Sequence, residues 1–220
     1  MADIRMGNII SIGKRIKFRV NSFGIVTVIF FLLLAQSVAA QQKNDSVFSA
    51  AIISKIALMH ANTGKSFYLN ADKNTNPETL LIFLSPECPL CQNYSSVLND
   101  LYKQYSDRVN IYGIIPGKAY SAIDVKAFQK DYHIPFPLLT DSHKELTQYL
   151  QATVTPQVIL LDNKYRLLYK GAIDNRLQSL GKQRLKPTAF YLNDALQASL
   201  SNKIISIKRT KAVGCIINDY

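Results

Sequence analysis

The chain predicts an α/β fold, a central mixed sheet flanked by helices. Short apolar runs alternate with helix-periodic stretches from residue 80 onward, the last two runs are joined by the turn residues Asp162-Asn163-Lys164, and a final helical pattern follows Pro187. Parallel pairing follows where a helix separates two strands, and antiparallel pairing where only a turn does.

Taken in order, residues 46–60 carry apolar side chains at helical spacing (Val47, Ala50, Ile53, Ile56, Ala57) and predict a helix. Residues 61–76 are polar, punctuated by Gly64 and Pro77, and predict a loop-rich lead-in. There follow a strand over 80–84, a helix over 88–106, a strand over 109–115, a helix over 121–132, a strand over 136–139, a helix over 143–150, and a hairpin of strands 157–161 and 165–169. A polar, basic segment spans 174–187. Pro187 then opens a helical pattern through Ala189, Phe190, Leu192, Ala195, Leu196 and Leu200. Residues 201–220 form a basic tail with one short strand candidate, 204–207.

The first forty residues are read apart from the fold. Lys14, Arg15, Lys17 and Arg19 precede an uncharged apolar run from Phe23 to Ala35, and Ser37-Val38-Ala39-Ala40 supplies small residues for cleavage. This is the pattern of a secretory signal peptide. The run is shorter than the ~20 residues of a comfortable membrane span, which favours cleavage over an uncleaved anchor. No cysteine follows it, so lipid attachment there is excluded. An exported, periplasmic or otherwise extracytoplasmic protein is expected, membrane-associated only through residues 1–40 if these are retained.

Residues 41–200 then form one domain, followed by the tail 201–220. The 180 residues after the signal hold 21 basic and 14 acidic side chains, a net charge of +7. The basic residues are scattered and no nucleic-acid motif is present, so nucleic acid is not an expected partner. The charge reads as solubility or attraction to an anionic membrane surface.

Chemistry is concentrated in Cys88-Pro89-Leu90-Cys91, which follows the apolar run Leu80–Leu84 and opens a helix. Unpaired N–H groups at a helix N-terminus favour a thiolate. Two cysteines separated by two residues serve either as a redox couple or as half of a zinc site. A structural zinc site needs two more ligands, whereas the chain holds no second pair and only the isolated His60, His133 and His143. Redox chemistry is the favoured reading, with no cofactor and no metal. Cys215 is the third cysteine of a chain bound for an oxidising compartment. It pairs elsewhere, acts as an accessory thiol, or is idle.

The motifs Phe83-Leu84-Ser85-Pro86-Glu87-Cys88-Pro89-Leu90-Cys91, Ala152 to Asp162 around Thr155-Pro156, and Tyr169-Lys170-Gly171 resemble the thioredoxin superfamily, in its exported redoxin branch of thiol-disulfide oxidoreductases. The resemblance covers residues 77–200. It implies a thioredoxin-like fold, a cis Pro156 packed against the dithiol, and a backbone at Thr155 free to pair with a substrate peptide. Position at the helix N-terminus makes Cys88 the expected, exposed nucleophile and Cys91, one turn in and partly covered, the resolving thiol; the partners are protein thiols and disulfides, with a membrane electron donor if the protein reduces them.

Around this pair, Pro89 fixes the first helical turn and removes an N–H, and Glu87 is a candidate proton acceptor. Apolar Ile82 stands where thioredoxin carries a buried acid. Ser85 matches the hydroxyl residue that peroxiredoxins place three positions before their reactive cysteine, but Leu81 replaces their proline and Cys91 is not their usual resolving position, so a peroxiredoxin-like thiol peroxidase is an alternative that is not favoured. Copper delivery through the two thiols and His133 or His143 is the principal rival, and Gly214-Cys215-Ile216-Ile217 resembles a terminal motif of some exported redoxins.

Overall fold

The computed structural model describes residues 48–70 and 76–217. The signal segment 1–40 lies outside the described residues. The core of the described residues is a seven-stranded mixed sheet, ordered β2-β1-β5-β4-β3-β7-β8. The strands are β1 (Leu58–His60), β2 (Ser66–Phe67), β3 (Glu78–Phe83), β4 (Val109–Pro116), β5 (Leu138–Asp141), β7 (Gln157–Asp162) and β8 (Leu167–Gly171). β3, β4 and β5 are mutually parallel, while β7 and β8 run antiparallel. This is the thioredoxin-like architecture that the motifs imply.

β3 explains why the sheet is central. All six of its residues are buried, and alternate side chains point to opposite faces. Leu80 and Ile82 join one core with Tyr94, Leu98 and Leu101 of α2 (Pro89–Tyr105), Phe128 of α3 (Ala122–Asp131) and Leu196 of α5 (Tyr191–Leu200). Leu81 and Phe83 join the other with Ile53 of α1 (Ala50–Ile53) and Leu146 of α4 (Glu145–Tyr149). One continuous apolar strand thus serves two helical layers, as expected of a sheet covered on both faces.

Four expectations are corrected. The helix over 46–60 is only the four residues of α1, because from Ile56 burial alternates with a period of two and Met59 and His60 pair with Thr140 and Leu139 of β5. The strand expected over 136–139 begins at Leu138, since Pro137 has no N–H to give to the sheet. The second hairpin strand begins at Leu167. Tyr165 is held in the turn at φ 56°, and the Asp162 carboxylate accepts the N–H groups of Lys164 and Arg166. The last helix starts at Tyr191 because the Asn175 side chain accepts the N–H groups of Thr188 and Ala189, holding them outside the helix.

The polar segment 174–187 contains a small hairpin, β9 (Leu177–Ser179) and β10 (Lys182–Gln183). No strand forms at 204–207, where Ile204 and Ile207 are exposed. The tail is ordered further on. Lys170 donates its N–H to Lys208 O (3.0 Å) and accepts that of Thr210 (3.0 Å), so the tail lies along β8. The Thr210 hydroxyl lies 2.6 Å from Tyr169 Oη and accepts the Ala172 N–H at 2.9 Å. Beyond it, β11 (Cys215–Ile216) pairs antiparallel with the two-residue strand β6 (Val154–Thr155).

Candidate active site

The dithiol motif sits where β3 ends and α2 begins. Cys88 occupies the N-cap with extended backbone (φ −76°, ψ 113°), and Pro89 is the first helical residue, where its missing N–H costs nothing. The Cys88 N–H is turned back to Ser85 O (3.2 Å), and Gln92 Nε2 donates to Pro86 O (2.9 Å), which pins the loop onto the helix. α2 presents Cys91, Tyr94, Leu98, Leu101 and Tyr105 to the core at helical spacing.

The two thiols have different surroundings. Cys91 is fully buried, and its Sγ accepts the Ser85 N–H at 3.4 Å. Burial pushes its thiol up to about 11, outweighing the hydrogen bonds from the Ser85 backbone and the Thr155 side chain that favour the thiolate. Cys88 is only 3% exposed and is joined in a disulfide to Cys215, with 6.2 Å between their Cα atoms. Here the expectation of an exposed Cys88 is corrected: β11 lies over it. The partner in the observed bond is Cys215 rather than Cys91, and Cys91 is the free cysteine.

Thr155-Pro156 is a cis peptide, and Thr155 O lies 3.3 Å from Cys88 Sγ. Cys215 is the register partner of Thr155 and Ile216 that of Val154, while Ile217 donates its N–H to Thr153 O at 3.0 Å. Gln157 Oε1 accepts the Thr153 N–H at 2.9 Å, fixing the entry to this segment. Gly214 is required by crowding, since a Cβ there would collide with the Thr155 carbonyl.

Beside the disulfide opens a cleft of about 350 Å³, lined by Ser85, Glu87, Lys118, Tyr120, Thr155 and Ile217 among others. Glu87 and Pro89 are exposed at the helix start, whereas Cys88, Cys91, Thr155 and Pro156 are buried. Ser85 lines the same cleft as Cys88. Its hydroxyl is 2.8 Å from Tyr120 Oη, and its N–H serves Cys91. Neither His133 nor His143 lines the cleft, both are exposed, and among the described residues no group of three or more His, Cys, Asp or Glu is arranged to hold a metal.

Three participants escape the sequence reading. Tyr120 sits in a loop with no signal. Ile82 is buried among apolar side chains, while Asp174, one of the buried acids, accepts the hydroxyl of Tyr94 (2.5 Å) one turn beyond Cys91. The strand at 215–216 does have a signal, the β-branched pair Ile216-Ile217 after a glycine, but two residues are too short for periodicity to reveal.

The AhpC/TSA family model matches residues 56–170, just over half of the chain. No curated protein matches it. Among solved structures, a hypothetical protein from Sinorhizobium meliloti superposes with a TM-score of 0.67 at 25% identity, covering 78% of this chain and 93% of that one. An uncharacterized conserved protein from Geobacillus kaustophilus gives 0.66 at 24% identity, covering 75% and 88%. A secreted disulfide oxidoreductase of Mycobacterium tuberculosis gives 0.46 at 16%, covering 66% and 94%.

Proposed function

The chain belongs to the AhpC/TSA family, and we propose that it is an exported thiol-disulfide oxidoreductase that exchanges disulfides with protein clients through Cys88 and Cys91. One observation carries this reading: the backbone of Thr153–Thr155 is engaged by an extended strand while Thr155 O lies 3.3 Å from Cys88 Sγ. A peptide paired along that edge brings its own sulfur to Cys88.

In the reducing direction, which the resemblance favours, Cys88 thiolate attacks a client disulfide. A Cys88–client bond forms and the client's other sulfur leaves as a thiolate. Cys91, deprotonated, then attacks Cys88 Sγ, releasing the second client sulfur and leaving Cys88–Cys91 oxidised. Two electrons pass to the client, and a membrane dithiol donor restores the pair. Glu87 takes up the proton as Cys88 ionises, Pro89 holds the helix start, and Thr155 and Pro156 bound the client strand. Residues 1–40 direct export, residues 41–200 are the catalytic domain, and residues 201–220 are a tail appended to it.

The test is reduction of insulin disulfides by the pre-reduced protein. Cys88→Ser is expected to lose at least about 100-fold in rate, in keeping with loss of the attacking thiolate. Turnover preserved in Cys88→Ser refutes the assignment.

A further inference from the structure

We propose that Cys215 is the resident disulfide partner of Cys88, and that residues 214–217 form a tethered strand filling the client-peptide site until Cys91 takes over the bond to Cys88. This rests on the oxidoreductase reading of the same cleft and names what occupies it and what its clients resemble.

Four features outside the disulfide itself fit the tail to this place. The ladder is in register, Cys215 opposite Thr155 and Ile216 opposite Val154, extended by the Ile217 N–H to Thr153 O. Gly214 lies against the Thr155 carbonyl where no side chain fits. Upstream, Thr210 is fastened to Tyr169 and Ala172, so only residues 211–213 span from the anchor to the groove. Ile216 is 73% exposed, as in a strand laid on a surface rather than built into a core.

The strand is held weakly apart from its covalent bond. Two ladder pairs and one flanking hydrogen bond contribute little, because water offers the same groups competing hydrogen bonds. Cys91 lies three residues after Cys88, on the same side of the helix start. When Cys91 loses its proton to solvent, its Sγ attacks Cys88 Sγ; the Cys88–Cys91 bond forms as the Cys88–Cys215 bond breaks. The electron pair leaves on Cys215 Sγ, which takes a proton from solvent. One disulfide replaces another, with no net oxidation, and the groove opens. Burial raises the Cys91 thiol, so this exchange is slow at neutral pH and quickens as the pH rises.

The groove thereby selects a client class: extended segments with glycine directly before the cysteine and an apolar residue two positions after it, where Ile217 packs against the core.

The experiment maps the free thiol of the oxidised full-length protein by acid-quenched alkylation and peptide mass spectrometry. At pH 5 the label is expected on Cys91, and after a jump to pH 9 on Cys215. Gly214→Val, which keeps all three thiols but unseats the strand, is expected to carry the label on Cys215 already at pH 5. Label on Cys215 in the wild type under every condition, unchanged by Gly214→Val, overturns the proposal, as does label confined to Cys91 at both pH values. The map needs no client turnover, so it stands or falls separately from the insulin assay, which decides the oxidoreductase reading.

Discussion

Thr155 and Cys215 are register partners in an antiparallel ladder, and the carbonyl of the first lies 3.3 Å from the sulfur to which the second is bonded. The backbone that positions the strand and the sulfur that captures it are thus set by one residue, Thr155, itself buried and fixed by the turn into β7. A strand bound there is aligned before any bond is exchanged, which makes the exchange effectively intramolecular.

Cys91 is the group through which pH acts. Its raised value means that the folded protein holds the proton where an ordinary thiol, near 9, has begun to release it. In Cys88→Ser, where Cys91 has no disulfide to attack, alkylation of Cys91 by iodoacetamide is expected to rise about tenfold per pH unit until about pH 11, whereas the same residue in urea levels off near pH 9. A native profile that also levels off near 9 contradicts the burial argument. Peptide mapping separates Cys91 from Cys215, which is free in this variant.

The tail anchor is expected to matter for stability. Thr210→Val keeps the shape of the side chain but leaves the Ala172 N–H and the Tyr169 hydroxyl with one partner fewer each. The cost is about 1–3 kcal/mol, read from the midpoint of urea denaturation. Faster cleavage of residues 211–217 by a protease is expected in the same variant once the disulfide is reduced. Unchanged protease sensitivity shows that Thr210 does not hold the tail.

Phe83→Ala tests the sheet that carries the motif. Phe83 is fully buried on β3, five residues before Cys88, and packs in the core on the α1 and α4 face. Removing the ring is expected to cost about 3–5 kcal/mol through lost burial and the cavity left behind. The test is the shift of the denaturation midpoint at constant m value; a shift below about 1 kcal/mol means the site collapses without penalty.

What could be read from the chain alone divides along physical lines. β3, β4, β7 and α2 were legible because each buries a long, regular apolar pattern, and Pro156 stood out from the motifs around it. The helix expected over 46–60 is too long because Val47, Ala50, Ile53, Ile56 and Ala57 fit a helical spacing, whereas a period of two takes over at Ile56. The Cys88–Cys215 bond was illegible because it joins residues 127 apart through a two-residue strand, where neither periodicity nor propensity speaks. The exposure of Cys88 was misjudged for the same reason, since what covers it arrives from the far end of the chain.

Client choice follows from Gly214. A Cβ at this position meets the Thr155 carbonyl, which is backbone and cannot swing aside as a side chain would. A peptide entering the same groove in place of the tail faces the same wall one residue before its cysteine. The measurement uses the Cys91→Ala, Cys215→Ser protein, in which Cys88 alone reacts. Two peptides, Ala-Val-Gly-Cys-Ile-Ile and Ala-Val-Val-Cys-Ile-Ile, are each supplied with the cysteine activated by thionitrobenzoate. Cys88 thiolate attacks the peptide sulfur, and the coloured thiolate that departs reports the rate. The glycine peptide is expected to react at least about tenfold faster, equivalent to about 1.4 kcal/mol of lost alignment for the valine peptide. Equal rates for the two peptides, with both reacting at Cys88, mean that clients do not enter along the Thr155 ladder.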